Sequence, residues 1–232
     1  MKEQNLIPKK FFDFGGGGIV IFITAPRGSG KSTLVCGSQK LKKTGLLTNP
    51  NLLQFQFDYI FLIHKAYDKD FAYHALKLNE NHILEDCDFD TIDSIYSWCK
   101  QQWNIDNSIH SLIILEDCLA DLQSLKNKRN GNVLDEIVAN SRGYNISLMI
   151  STQMYKSVST TVRGGIDYLI AFDTRTRSER ENIIDDFCFP RFDKHQFKDI
   201  WEFCTKEQFS PIVLDCRAGK QHIYKGFNKL KV

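Results

Sequence analysis

The stretch IVIFITAPRGSGKSTL, Ile19 to Leu34, constrains the fold more than any other part of this chain. Its first six residues, Ile19 to Thr24, form a continuous apolar, β-branched run bounded by turn residues, the pattern of a strand buried on both faces. A loop must follow, and then a segment from Lys31 to Lys43 that the spacing predicts to be helical. The loop matches G-x-x-x-x-G-K-[ST], except that Ala25 replaces the first glycine. Alanine is small enough to keep the turn. The other residue types are those that phosphate binding needs. Gly28 and Gly30 let backbone N–H groups turn inward around anionic oxygens, Lys31 carries charge to the β- and γ-phosphates, and the Ser32 hydroxyl can ligate magnesium. Arg27, Gly28, Ser29, Gly30, Lys31, Ser32 and Thr33 are therefore the expected nucleotide cradle.

A second stretch, SLIILED at Ser111 to Asp117, sets four apolar residues in front of two carboxylates. This is the pattern of a buried central strand whose carboxyl end carries Glu116 and Asp117, and in open α/β sheets ligands sit at that end. One acid there can hold a magnesium shell together with Ser32, while its neighbour orients or deprotonates an attacking water. Glu116 is the metal candidate, and the order Glu then Asp leaves open which of the two is the base. Further on, Ile146 to Ser151 (ISLMIS) is another buried strand, closing on Thr152 and Gln153. An amide at that tip can sense the γ-phosphate or position water.

At 232 residues, with 42% hydrophobic and 25% charged side chains, the chain suffices for one large α/β domain. A formal charge of +2 supplies no global positive field, so any contact with nucleic acid must come from local patches. The seven cysteines are scattered and never in C-x-x-C spacing, which fits free thiols in a reducing compartment and argues against a disulfide framework or a zinc site. The histidines are dispersed too, so no protein-ligated transition metal is expected. No secretory leader or membrane span is expected either, since the run at Ile19 follows four glycines and is too short for a bilayer.

Residues 1–18, a basic and aromatic lead-in followed by Gly15 to Gly18, are expected to form an arm and a glycine joint ahead of a single domain over residues 19–232. The arm is either flexible or packed on a neighbouring subunit. Further strands are predicted at Phe57 to Ile63 and Asp167 to Phe172. An amphipathic helix is predicted between His64 and Asn81, with Phe71, Ala75 and Leu78 on one face, and others at 91–102, 133–141, 178–187 and 193–205. Asp86, Asp88 and Asp90 alternate like a calcium loop, but Thr91 stands where glycine is needed and Ser97 where a bidentate glutamate belongs. That run is a solvated turn capping the next helix. A hairpin turning at Ala218-Gly219 ends the chain. Strands alternating with helices imply a mostly parallel sheet with helices on both faces.

The set APRGSGKST, SLIILEDC, NSRGYNISLMISTQ and VRGGIDYLIAF, in this order and spacing, resembles the genome-packaging ATPases of large DNA viruses and virophages, within the HerA/FtsK superfamily of ring-shaped DNA translocases. The resemblance covers about Ile19 to Asp186, and its most specific part is Arg142 to Gln153. It implies a P-loop NTPase fold of the RecA/FtsK type, with a mostly parallel central sheet and a C-terminal β-hairpin. ATP and Mg2+ are the implied cofactors, and the implied activity is ATP hydrolysis driving double-stranded DNA into a capsid. Lys31, Glu116, Asp117 and Gln153 take the catalytic roles. The resemblance also implies a closed homo-oligomeric ring, a pentamer or hexamer, in which an arginine from one subunit completes the site of the next. Arg142 is the first candidate, because it precedes the sensor strand, and Arg163 the second. Lys126, Lys128 and Arg129 are candidates for a pore loop gripping DNA phosphates, an ordinary solvated turn being the alternative. Portal or vertex proteins of the capsid are further implied partners, no membrane is involved, and the implied location is the host cytoplasm, at the viral factory, and the virion. The family's commoner acid order puts aspartate first. Two other readings stay open: a P-loop small-molecule kinase with lid arginines at Arg175 to Arg180, and a non-catalytic nucleotide-binding virion scaffold.

Overall fold

The computed structural model describes residues 2–4, 11–126, 132–174 and 176–231. In chain order its strands and α-helices begin with β1 (Lys2–Gln4), β2 (Val20–Thr24), α1 (Lys31–Cys36), β3 (Tyr59–His64), α2 (Phe71–His74) and β4 (Ile83–Leu84). The middle of the chain supplies α3 (Phe89–Ile105), β5 (Ser111–Glu116), α4 (Leu119–Lys126), α5 (Val133–Asn140), β6 (Ile146–Thr152), α6 (Thr160–Gly164) and β7 (Tyr168–Ala171). It closes with α7 (Arg177–Phe187), α8 (Lys194–Thr205), β8 (Ile212–Asp215), β9 (His222–Lys225) and β10 (Asn228–Lys231).

The strands join one sheet in the order β1-β10-β9-β8-β7-β2-β6-β5-β3-β4. From β7 to β4 every pair is parallel, and β8, β9, β10 and β1 extend the sheet antiparallel from β7. A parallel interior requires cover on both faces, and side chains along each strand alternate accordingly. Phe22, Ile113, Leu115, Leu148 and Ile150 pack on one side with α3, α5, α7 and α8. Ile21, Ile23, Leu112, Ile114 and Met149 pack on the other with α1, Leu46 and Leu53. No helix among the described residues is long and apolar enough to cross a membrane.

Two elements depart from expectation. Helix α1 stops at Cys36 instead of reaching Lys43, because Gly37 takes φ 82° and its N–H closes on the Thr33 carbonyl. A Cβ at Gly37 would lie 2.6 Å from the Lys43 carbonyl oxygen, so only glycine fits the stop. The amphipathic helix expected between His64 and Asn81 shrinks to the four residues of α2, flanked by single 3-10 turns at Tyr67–Lys69 and Glu80–His82. Phe71, assigned to its apolar face, is 77% exposed, and the buried residue is Tyr73.

The glycine run is packed at its second half, Gly17 and Gly18 being buried while Gly15 and Gly16 are exposed. Phe11 and Phe12 are buried against Tyr168, with Phe11 also against Tyr224 and Phe227. The backbone of Lys2–Gln4 pairs with β10 of the same chain. A Cβ on Gly17 would approach the Arg142 carbonyl oxygen to 2.5 Å, and one on Gly18 would approach that of Ile146 to 1.8 Å. Gly18→Ala is therefore expected to cost at least about 2 kcal/mol, lowering the melting temperature by roughly 4–8 °C in a chain of this size. Gly16→Ala, at φ 86° with open space around it, should cost only about 1 kcal/mol. Equal and small effects at both positions would remove the packing role given to Gly18.

Candidate functional site

The parallel strands all end on one edge of the sheet, and the register brings the sequence motifs together there. Thr24 pairs with Thr152, and Glu116 pairs with Ser151. The loop after β2, the acids after β5 and the amide after β6 thus share one cleft of about 530 Å³, lined by Arg27, Gly28, Gly30, Lys31, Ser32, Thr33, Glu116, Asp117 and Gln153 together with His64, Asp70 and Phe209.

The cradle is built from backbone conformations that favour glycine. Gly28 has φ 79° and Gly30 φ 95°. Ser29 closes the loop internally, its hydroxyl donating to the Pro26 carbonyl at 2.7 Å. Ala25 is buried, its N–H donating to the Thr152 carbonyl at 3.1 Å, so the first-position alanine is accommodated. Lys31 is buried with its ammonium 3.4 Å from the Ala25 carbonyl oxygen. Because α1 has only six residues, inward amides and Lys31 carry the anion affinity more than any helix dipole.

The acids divide their positions. Glu116 is buried and accepts a 2.7 Å hydrogen bond from the Tyr73 hydroxyl. Burial raises its pKa, while the neighbouring Ser151 and Tyr73 hydroxyls and the Lys31 ammonium pull the other way. Burial and the same carboxylate hold the Tyr73 phenol far above its usual range, so it stays a proton donor. Asp117 adopts φ 53°, which aspartate tolerates, and turns the chain out of β5 into solvent. Its Oδ1 accepts from the Gln153 amide at 3.1 Å. Asp117 and Gln153 therefore form one contact at the mouth of the cleft.

Four residues at this site were not among the sequence candidates: His64, Asp70, Tyr73 and Phe209. Asp70 Oδ2 accepts from the Ser32 hydroxyl at 2.9 Å and lies 3.4 Å from His64 Nε2. His64 Nδ1 accepts from the Ala66 N–H at 3.1 Å, which leaves the proton on Nε2 facing Asp70. That bond from His64 is the main cause of the lowered Asp70 pKa, with Ser32 and the Ala72 N–H adding to it. The segment after β3 thus grips the proposed metal serine with Asp70 and the proposed metal glutamate with Tyr73. The oxygen donors of Ser32, Glu116 and Asp70 suit a hard divalent cation such as magnesium. A buried hydroxyl at the same strand ends, that of Thr24, lacks a hydrogen-bond partner, which fits a ligand-accepting edge.

Other candidates lie elsewhere. Arg142 precedes β6, so it sits at the opposite edge of the sheet from Gln153, roughly 23 Å away at the rise of a parallel strand. It pairs with buried Asp167, which also accepts from the Val20 N–H. Arg163 is largely buried, bonded to Asp186 at 2.7 Å and set over the Tyr155 ring. Neither reaches the cleft of its own chain. Arg177 pairs with Glu181 and Arg180 with Glu202, and Arg175 lies outside the described residues. Lys126 ends α4, while Lys128 and Arg129 lie outside the described residues. One juxtaposition was invisible to spacing: Cys87, Cys118 and Asp121 bring ligand-type atoms within 4.8 Å of one another, the Asp121 carboxylate being held by Lys65.

Comparison with known proteins bears on this geometry. The sequence profile of the poxvirus A32 protein family matches residues 28–210, a span holding the glycines, Lys31, both acids and Gln153. The chain belongs to that family. This agrees with the resemblance to viral genome-packaging ATPases. No curated protein matches the sequence. Among solved structures, B204, the DNA-packaging ATPase from Sulfolobus turreted icosahedral virus, superposes with a TM-score of 0.63 at 16% identity, over 94% of this chain and 99% of that one. The genome-packaging NTPase B204 from Sulfolobus turreted icosahedral virus 2, in complex with ATP-γS, gives 0.62 at 16% identity, over 90% and 98%. The pCW3 conjugation coupling protein TcpA gives 0.55 at 12%, over 91% of this chain and 61% of that one. At these identities the likenesses establish the fold, a P-loop ATPase fold of the FtsK-like kind, with the added antiparallel strands.

Proposed function

We propose that this A32-family protein is an ATP-driven motor that moves double-stranded DNA into a viral capsid, acting in the host cytoplasm as a ring of identical subunits. The observation that carries the reading is the single cleft in which the phosphate cradle of residues 28–33 faces Glu116, Asp117 and Gln153. Lys31 and the loop amides hold the triphosphate. Ser32 and Glu116 would hold magnesium, with Asp70 fixing the serine, and the ion would supply charge neutralisation beside the phosphates. Asp117 and Gln153, bonded to each other, orient the attacking water, and the acid accepts its proton. Arg142, at the far edge from its own cleft, can complete only another subunit's site. To do so it must leave Asp167. DNA is gripped through its phosphates, with little sequence preference and strong salt dependence.

The test is ATP hydrolysis as a function of protein concentration, with and without double-stranded DNA. Specific activity should rise steeply with concentration, because an arginine supplied in trans contributes about 10³–10⁵ in rate in other nucleotide hydrolases. DNA should raise it further. Activity independent of both concentration and DNA removes the motor reading. Phosphate transfer to a small acceptor identifies a kinase, and tight nucleotide binding without turnover identifies a scaffold.

A further inference from the structure

A second cavity adjoins the phosphate cleft on its other side. It holds about 180 Å³ and is lined by Gly30, Thr33, Leu34, Leu41, Phe172 and Phe209 with the loop residues Lys43 and Thr44. Gly30, Thr33 and Phe209 line both spaces, so the two adjoin. Their chemistry is opposite. The phosphate cleft is lined by charge and hydroxyls, and the second cavity by aliphatic and aromatic side chains.

The sheet order gives this pair of cavities a direction. From the cradle after β2, the acids lie toward β6 and β5, while Phe172 follows β7 on the opposite side of β2. From β7 to β5 is three strand spacings, roughly 14 Å. A nucleotide whose γ-phosphate meets Glu116 and Asp117 must therefore extend its other end toward Phe172 and Phe209. Phe209 is 54% exposed although its ring packs against Gly30, where a Cβ would meet it at 3.2 Å. Its backbone stands at φ 64°, a conformation that a bulky side chain rarely adopts. Leu41 is exposed too, at 58%. Two large apolar side chains thus stand open to solvent at the rim of an apolar slot that leads from a phosphate site.

We propose that this slot is the base subsite: the purine ring of the nucleotide stacks on Phe209, with Leu34, Leu41 and Phe172 forming the rest of its wall. The assignment rests on the phosphate cleft being a nucleotide site, and it deepens that reading by naming what selects the base end. Stacking on an aromatic face tolerates different bases, because every base has a π-face, and is strongest for the larger ring system. The slot therefore favours purine over pyrimidine triphosphates and discriminates weakly between adenine and guanine.

Calorimetric titration of the full chain with ATP and with inorganic tripolyphosphate, which keeps the phosphates and lacks the base, tests it. Phe209→Ala should weaken ATP binding roughly tenfold, the size of losing one base-aromatic stack, and leave tripolyphosphate affinity unchanged within about twofold. Phe209→Trp should retain ATP affinity, and its indole emission should respond to ATP and not to tripolyphosphate. Unchanged ATP affinity in Phe209→Ala, or equal weakening of both ligands, overturns the base subsite. A wild-type protein that binds neither ligand overturns the nucleotide reading beneath it, and that outcome is distinct because it appears before any substitution is made.

Discussion

Lys31→Ala is expected to lower ATP turnover by at least about 10²–10³-fold, the loss seen when a single preorganised charge or donor is removed from a reacting oxygen. The fold should survive. Lys31 is buried, and its hydrogen bond to the Ala25 carbonyl is long at 3.4 Å. Removing the side chain withdraws a buried charge without emptying the core, since the apolar packing of α1 depends on Val35 and Cys36. The measurement that separates lost chemistry from lost folding is the thermal shift on adding ATP. A ligand present at a hundred times its Kd stabilises the native state by about 2.7 kcal/mol, and the variant should lose most of that shift while its ligand-free melting temperature stays within a few degrees of wild type. Undiminished turnover would take the loop out of the mechanism altogether.

Glu116→Gln is expected to produce an opposite pair of changes: turnover falls about 10²–10⁴-fold, while the ligand-free protein becomes more stable at neutral pH. The second effect follows from the sign of the pKa shift. Burial raises the Glu116 pKa in the folded state, so the native protein binds that proton more tightly than the unfolded chain does. Ionising Glu116 at neutral pH therefore opposes folding, and the opposition disappears as the pH falls through the raised pKa. Glutamine keeps an oxygen to accept the Tyr73 hydroxyl and carries no charge to bury. A rise in melting temperature is expected. The gain should shrink on acidification, as the wild-type carboxyl takes up its proton. If instead the variant hydrolyses ATP at the wild-type rate, Glu116 is a buried structural acid and the metal role passes elsewhere.

The parts of this site that could be seen in the sequence are those whose chemistry is encoded by neighbours along the chain. Gly28, Gly30, Lys31 and Ser32 announce a phosphate loop within five residues, and Glu116 and Gln153 each follow an apolar run that can only be a buried strand. Asp70, His64 and Tyr73 carry no such local mark. Their role depends on β3 lying beside β5, which brings the segment after β3 over both the loop serine and the strand-end glutamate. The misread helix has the same origin. Phe71, Ala75 and Leu78 have helical spacing, but Asp70 caps a single turn and Tyr73 supplies the buried contact. Other signals were present and given too little weight. Gly37 sits where a left-handed glycine ends a helix, and a residue in front of a parallel strand must stand at the edge away from the ligand, which already separates Arg142 from its own cleft. The four glycines are ambiguous in principle: the same composition serves a loose spacer or a tight approach, and only Arg142 and Ile146, more than a hundred residues on, decide between them.

The position of β2 between β6 and β7 also governs how the chain can be made. Its amides at Ile19 and Val20 bond to side chains 128 and 147 residues further along. During synthesis, this apolar run must wait until β6 and β7 have been made before its flanks are filled. High contact order of this kind slows folding and prolongs exposure of sticky segments. Chains cut short before β7 leave one flank of β2 unfilled.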